Sequence, residues 1–265
     1  SAFTNNVIVP KKVAVVGLGK KEKLTAHNLR QTVAKFARSL NKKVNSVSVA
    51  LLDDVKISHA EQAQMIAEGF LMGSYRFSEY LKKEKTNREL EAVIFTGVAT
   101  KEKKEIEERF AFVQMVFGAV KLARDLVNEP GITPEILSKQ AQDIAKSSPQ
   151  ISVKVFDRAG CEKMGMGAFL GVARGSEQEP QFVHLTYKPK VTRNKRKLAV
   201  VGKSITFDTG GLSLKPSKYM VNMKLDMSGA AAVLGLFSII TKLQPDFEVM
   251  GIFAATPNVV SANAY

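Results

Sequence analysis

The chain has 265 residues, of which 45% are hydrophobic and 24% charged, and its net charge is +14. This length suits one large or two ordinary domains, and the composition is that of a globular protein, which excludes disordered, collagen-like and coiled-coil chains. No uninterrupted apolar run approaches the roughly 18 residues that span a bilayer, and the N-terminus lacks the apolar segment of a secretory signal. We therefore expect a soluble cytoplasmic chain with no membrane partner.

The positive charge is spread along the chain. Residues 1–130 contain 22 basic and 15 acidic residues, and residues 131–265 contain 17 and 10, so each part carries an excess of +7. The densest basic cluster, residues 193–197, lies between two apolar runs and is interpreted as an exposed turn. A nucleic-acid-binding surface assembled in the fold stays open as an alternative to a solvated surface.

In the first half, strand-like runs alternate with helical periodicity. Thr25 and Ser58 are candidate N-caps, and Glu61 completes a capping-box pattern with Ser58. The predicted strands are 13–16, 47–52 and 92–97, and a long helix is predicted from about Lys103 to Val127. This alternation predicts a mostly parallel sheet covered by helices on both faces.

Pro130 and Gly131 form the strongest break, because this pair stops the long helix and turns the chain. Thr133 and Pro134 then restart a helix as N-cap and first helical residue. Further strands are predicted at 151–156, 182–187, 198–201 and 247–254, with a small-residue helix from Gly229. The predicted fold class is α/β: two α/β domains, 1–130 and 131–265, with mostly parallel or mixed sheets flanked by helices.

The familiar cofactor and zinc motifs are absent. Cys161 is the one cysteine, which fits a reducing compartment, and the three histidines form no HExxH or CxxC-type pair. Two glycine-rich turns each lack one glycine of a cofactor motif. The turn at residues 17–19 has Glu22 where a dinucleotide-binding motif needs glycine, and the turn at residues 202–204 has Lys197 where a phosphate-binding loop needs it. Any metal site must therefore use mainly oxygen ligands.

Residues 201–232 form the most unusual segment. Lys203 is followed by Asp208 five residues on, Lys215 seven further and Asp226 eleven further. These side chains come from a strand end, a glycine-rich loop and a helix start, where they can converge. Grouped carboxylates call for a counter-charge, which a divalent cation or the lysines themselves can supply. On charge alone, a metal site and two salt bridges, Lys203 with Asp208 and Lys215 with Asp226, stay open.

The order and spacing of these four residues, with the surrounding Phe-Asp-x-Gly-Gly and Met-Lys-x-Asp-Met-x-Gly-Ala-Ala, closely resemble the signature of the leucyl aminopeptidase family, the cytosolic M17 metallopeptidases. By this resemblance Lys203, Asp208 and Asp226 would ligate two divalent metal ions, zinc or manganese, and Lys215 would be the catalytic lysine. Met223 matches a position that lines the pocket for the first substrate side chain. The implied activity is removal of N-terminal residues from peptides, broad with a preference for leucine, by a water that two metals activate.

The sequence also departs from the family pattern. Ser204 and Thr209 replace other small residues, and residues 257–260 replace a segment that commonly reads Glu-Asn-Met-Pro. The chain stops at Tyr265, before the second family signature, which supplies further acidic ligands and an arginine. The N-terminal domain is expected to lack its own first strands. The chain is thus interpreted as a fragment of a longer enzyme, inactive alone and a homohexamer when complete.

Two function classes follow. The first is a metal-dependent aminopeptidase that acts on peptide substrates. The second is a non-catalytic, basic nucleic-acid-binding protein, because electrostatic binding to phosphates needs no active site.

Overall fold

In a computed structural model, the protein is described over residues 12–40, 44–81, 90–191 and 193–262. The chain separates into two compact units, Ser1–Phe117 and Gly118–Tyr265, and this division falls inside a long helix. Within the described ranges, no sheet contains strands from both sides of Pro130. The assignment of 1–130 and 131–265 as the two domains stays a prediction.

The first unit contains a two-stranded parallel sheet and its helices. Strand β1, Ser46–Ala50, pairs with β2, Ala92–Thr96. The predicted caps are confirmed, because Thr25 Oγ1 accepts a hydrogen bond from Asn28 N and Ser58 Oγ accepts one from Glu61 N. The helices they begin are α1, Ala26–Ser39, and α2, His59–Ser74. Apolar side chains of both helices form the core with Leu51 and Ile106.

The predicted strand at residues 13–16 is wrong. Residues 12–20 have no regular secondary structure, and Val13 and Val15 are 81% and 96% exposed. A β-strand is stable only when its backbone groups are paired, and in the described part of the chain β1 and β2 pair only with each other. Local β-propensity was therefore not sufficient to form a strand here.

The predicted long helix is confirmed as α3, Lys103–Asn128. The second unit continues with α4, Pro134–Lys146, whose cap is the predicted Thr133. Two short helices follow β3, Ile151–Phe156, and precede β4, Gln181–Tyr187. These are α5, Arg158–Lys163, and α6, Gly167–Ala173.

The sheet of the second unit is mixed. Its strand order is β3-β4-β6-β5, where β5 is Lys197–Asp208 and β6 is Glu248–Asn258. β3 and β6 run antiparallel to β4, whereas β5 and β6 are parallel. The α/β class with parallel and mixed sheets flanked by helices is confirmed. Along β4, buried Val183 and Leu185 alternate with partly exposed His184 and Thr186, so the two faces of this strand differ in burial.

Helix α8, Ser228–Leu243, supplies much of the core of this unit. Its fully buried Leu234 and Phe237 pack in one cluster with strand residues and with Leu137 of α4. Residues 217–243, which include the short helix α7, Ser217–Met220, are long and apolar enough to cross a membrane by composition, and half of the apolar window is buried inside the protein. Because its apolar side chains fill the core, α8 has the environment of a core helix in a globular unit.

The basic cluster at residues 193–197 connects β4 to β5. Arg193, Lys195 and Arg196 are exposed and lie outside regular structure, as expected for a turn, and Lys197 begins β5. Lys197 lies 3.3 Å from Glu248, at the start of the neighbouring strand. The cluster is at the opposite end of β5 from Asp208.

A histidine joins the loops that follow the two strands of the first unit. His59 Nε2 lies 3.1 Å from Asp53 Oδ1, and His59 Nδ1 lies 3.1 Å from Glu102 Oε2. The hydrogen bond to Glu102 raises the pKa of His59 against the opposing effect of burial, and Asp53 raises it further. The same hydrogen bond lowers the pKa of Glu102.

These shifts predict a pH-dependent contribution to stability. The raised pKa of His59 stabilises the fold fully below the unfolded histidine pKa, about 6.5, and this contribution is lost as the pH rises through the folded value. The lowered pKa of Glu102 contributes stability above the unfolded glutamate pKa, about 4.3, and this contribution is lost as the pH falls through the folded value. We expect His59→Gln to destabilise the first unit most between about pH 4.3 and pH 6.5, the two unfolded pKa values, and less at pH 8. Denaturant unfolding measures this loss.

The matched control is His27→Gln, because His27 is exposed and its ring contacts Arg30 instead of a carboxylate. A loss of stability in His59→Gln that is equal at pH 5.5 and pH 8 would contradict the role of the charged histidine.

Candidate metal centre

The four charged residues among the predicted site residues lie on β5 or on the segment that follows it, with Lys203 within the strand and Asp208 at its carboxyl end. Asp208 is the last residue of β5 and pairs in register with Asn258, the last residue of β6. From Ile205 to Asp208 the pairing shifts, with β5 advancing three positions while β6 advances two. Such bulges bend a strand and re-aim its side chains. The segment 209–227 then leaves the sheet and returns to the start of α8.

A close backbone contact brings the end of this segment back to β5. A methyl group added to Gly202 would lie 2.7 Å from Ala230 N, and one added to Gly229 would lie 2.9 Å from Lys203 O. Both distances are shorter than real carbon contacts, so the approach of β5 and the α8 N-terminus requires glycine on each side. The free edge of β5 also holds the segment, since Ile205 N donates to Asp226 O at 3.2 Å.

Two ion pairs connect the four charged residues. Lys203 Nζ lies 2.9 Å from Asp226 Oδ2, and Lys215 Nζ lies 2.5 Å from Asp208 Oδ2. The salt-bridge interpretation from the sequence had paired Lys203 with Asp208 and Lys215 with Asp226, and this pairing is wrong. The reason is the β5–α8 contact, which places Asp226 beside Lys203 instead of beside Lys215.

Asp208 is held as a carboxylate. Burial alone would raise its pKa, but hydrogen bonds from Lys215, Gly210 N and Asn258, together with one involving Asp226, lower the pKa to about 2. Oδ1 accepts from Asn258 Nδ2 at 2.8 Å and from Gly210 N at 2.9 Å, while Oδ2 faces Lys215. Asp208 is therefore anionic at neutral pH.

Lys215 is more enclosed than Lys203. Its side chain is 27% exposed, compared with 61% for Lys203. Besides Asp208 Oδ2, the ammonium contacts Asp208 O at 3.3 Å and Met223 Sδ at 3.2 Å. The predicted site residue Met223 thus touches the predicted catalytic lysine.

The turn between Asp208 and Lys215 depends on its two glycines. Gly210 and Gly211 have φ of 90° and 66°, in the left-handed region that favours glycine. Thr209 Oγ1 donates to Asn258 O at 2.9 Å, and Lys215 N donates to Thr209 O at the same distance. The turn therefore brings the chain back so that Lys215 faces Asp208.

Asn258 is a site residue that sequence reasoning missed. It keeps the Asn of the family segment Glu-Asn-Met-Pro, but the three other residues of 257–260 differ and Asn258 was not selected. Its amide holds Asp208 Oδ1, and its carbonyl accepts from both Thr209 N and Thr209 Oγ1. Its position shortly after a predicted strand could have indicated it, because the ends of adjacent parallel strands meet at one edge of a sheet.

The donors present fit a cation in one specific respect. Asp226 Oδ2 is buried and has no hydrogen-bond partner, although Lys203 Nζ is close enough for an ion pair. A buried carboxylate oxygen is costly unless a cation neutralises it, and here the Lys203 ammonium supplies the charge that a divalent ion would supply in its place. The described residues contain no cluster of three or more histidine, cysteine, aspartate or glutamate side chains. A metal here would be bound by Asp208, Asp226 and a neutral lysine.

Comparison with known proteins matches both parts of the chain to one family. The sequence profile of the cytosol aminopeptidase family, catalytic domain, matches residues 121–265, and that of the N-terminal domain of the same family matches residues 3–84. The first match contains every predicted site residue.

Individual relatives agree with the profiles. A probable cytosol aminopeptidase of Persephonella marina is 38% identical over 96% of this chain and 51% of its own length. One from Rippkaea orientalis is 41% identical with the same coverage. The chain therefore spans about half the length of these relatives.

Solved enzyme structures have a similar fold. The bottromycin maturation enzyme BotP in complex with Mn superposes with a TM-score of 0.76 and 33% identity, covering 92% of this chain and 50% of that one. A tomato leucine aminopeptidase mutant superposes with a TM-score of 0.77 and 33% identity, covering 90% and 46%. Because the catalytic-domain profile covers more than half of its residues and the folds agree, the chain belongs to the cytosol aminopeptidase family.

Proposed function

We propose that this chain carries part of the active site of a metal-dependent aminopeptidase that removes N-terminal residues from peptides, broadly and with a preference for leucine. The observation that supports it best is the convergence of Asp208 and Asp226 with two lysines, in which the buried Asp226 Oδ2 is neutralised by an ion pair with Lys203 at 2.9 Å. Family membership supports the reaction class. By the names of its relatives the protein is proposed to act in the cytoplasm.

Lys203, Asp208 and Asp226 are the proposed ligands of two divalent ions, zinc or manganese. When bound, such a pair acidifies a water and polarises a carbonyl group. Asp208 is already anionic, so it needs no proton loss to bind a cation. Lys203 can ligate only as a neutral amine, and nearby dications favour that form. Its exposure at the free edge of β5 lets it exchange its ion pair with Asp226 for a metal.

Lys215 is the proposed catalytic lysine. Asp208 and Met223 fix its ammonium group at the edge of the site, and its limited exposure strengthens the field it exerts. A fixed positive charge stabilises the negative charge that develops on the carbonyl oxygen of the scissile bond. Met223 is proposed to line the pocket for the first side chain of the substrate as well as to hold Lys215. Assembly as a homohexamer is part of the same proposal.

The reaction is tested with the natural polypeptide that contains these 265 residues. We expect it to hydrolyse a leucyl amide in the presence of Mn²⁺ or Zn²⁺ and to lose this activity on addition of a chelator. A protein that shows no hydrolysis, but binds DNA strongly and with steep salt dependence, would overturn the aminopeptidase proposal in favour of the nucleic-acid alternative.

The 265-residue chain by itself is expected to bind metal weakly and to lack activity. Two carboxylates and one amine form a poor site for two dications, and the ion pair between Lys203 and Asp226 competes with metal binding. Calorimetric titration with Mn²⁺ should show weak binding that Asp226→Asn abolishes. Two tight sites, or hydrolysis by this chain that a chelator inhibits, would show that the ligands are misplaced.

Asn258→Ala is expected to weaken Mn²⁺ binding to this chain about tenfold, a typical cost of removing a residue that orients a metal ligand. The variant leaves Asp208 Oδ1 with Gly210 N alone, so the carboxylate can rotate. The matched control is Asn194→Ala in the exposed turn before β5. Equal affinity for Mn²⁺ in wild type and Asn258→Ala would show that Asn258 does not position Asp208 for a metal.

A further inference from the structure

The candidate site consists of one part on the sheet and one part on a loop. Asp208 is fixed by Asn258 and by pairing between β5 and β6. Met223 and Asp226 instead lie in or directly after a short 3₁₀ helix, Met223–Leu225. The preceding residues pack little, since Tyr219 and Val221 are 59% and 74% exposed. Apolar burial therefore does little to fix the loop before Met223, whereas buried Met227 and the hydrogen bond from Ile205 N to Asp226 O hold its end next to α8.

Lys224 lies inside that turn and connects it to a distant helix. Its Nζ donates to Asn128 O at 3.1 Å, a partly buried contact between residues 96 positions apart. Asn128 is the last residue of α3. Lys224 forms no ion pair with a carboxylate in the described ranges, so its charge is directed at the helix end.

The end of α3 is a suitable acceptor for an ammonium group. The last carbonyls of a helix have no partner within the helix and carry the negative end of its dipole. Neighbouring groups are already used, because Asn128 Nδ2 donates to Arg124 O at 2.8 Å and Glu129 N donates to Asp125 O at 3.0 Å. A lysine ammonium at Asn128 O makes a charge-assisted hydrogen bond, which is stronger than a neutral one.

We propose that Lys224 is a positioning residue, which anchors the Met223–Leu225 turn to the C-terminal end of α3 and so places Asp226 and Met223 opposite Asp208 and Lys215. This inference rests on the proposed metal-binding function. Because Met223 precedes Lys224 in one turn, release of the anchor frees Met223, and it loosens the Asp226 side chain although Ile205 N still holds the Asp226 carbonyl. The anchor also keeps the Lys224 ammonium away from Asp226, where it would compete with a cation.

The first test measures the turn in the metal-free 265-residue chain. Lys224→Met removes the ammonium and keeps most of the side-chain length, Lys224→Arg keeps a charged donor, and Lys242→Met removes an exposed lysine of α8 as the matched control. We expect amide hydrogen exchange at residues 217–226 to accelerate about tenfold in Lys224→Met, because local opening becomes easier, with β3 and β4 unchanged. Lys224→Arg should restore slow exchange, and Lys242→Met should match wild type.

The second test measures Mn²⁺ affinity with the same substitutions in the natural polypeptide that contains these 265 residues. We expect Lys224→Met to bind about tenfold more weakly at an unchanged melting temperature, with Lys224→Arg within about twofold of wild type. Unchanged exchange in Lys224→Met overturns the anchor, and unchanged Mn²⁺ affinity overturns its positioning role. If wild type binds no Mn²⁺ while Lys224→Met accelerates exchange, the proposed function fails and the anchor itself is supported.

Discussion

The close contact between β5 and the N-terminus of α8 is the constraint on which the candidate site depends. Gly202 and Gly229 permit two backbones to meet where any side chain would overlap with the opposing chain. This contact fixes the return point of a loop that is otherwise poorly packed. It places Asp226 beside Lys203 and also determines which lysine pairs with which aspartate.

Charge balance explains how such a site can exist without a cation. Two lysines and two aspartates form two ion pairs, so the cluster is neutral as a whole. The two pairs differ in kind, because Lys215 is enclosed by Asp208 and Met223 whereas Lys203 is exposed at a sheet edge. In the proposed function this difference separates the lysine that keeps its charge from the lysine that becomes a ligand. A cation that enters the cluster would displace the Lys203 ammonium from Asp226, whereas the Lys215 ammonium would stay in place.

Sequence patterns predicted the elements whose determinants are local. Caps at Thr25, Ser58 and Thr133 were confirmed because each depends on residues within one turn. The strand at 13–16 was wrong because a strand depends on a partner that the local sequence does not specify. The direction of β4 in the second sheet was likewise not predicted from alternation of strands and helices, since β3 and β6 both run antiparallel to it.

Prediction of the site residues was likewise limited to those that a local pattern marks. Spacing and resemblance selected Lys203, Asp208, Lys215 and Asp226, which the fold brings into two contacting pairs. Neither approach selected Asn258 or Lys224, because their roles depend on partners 50 and 96 residues away in the chain. Lys224 lies within the Met-Lys-x-Asp motif and Asn258 within residues 257–260, but their roles become visible only when the strand ends and the helix end are placed in three dimensions.

Asp208 and Asp226 are proposed to bind a divalent cation that displaces the Lys203 ammonium from Asp226. Anomalous diffraction at the manganese edge, from crystals of the natural polypeptide grown with Mn²⁺, tests this most directly. The account predicts anomalous density within coordination distance of both carboxylates, with Lys215 still paired with Asp208 or directed into the site. Manganese bound elsewhere, with the Lys203–Asp226 and Lys215–Asp208 pairs intact, would contradict it.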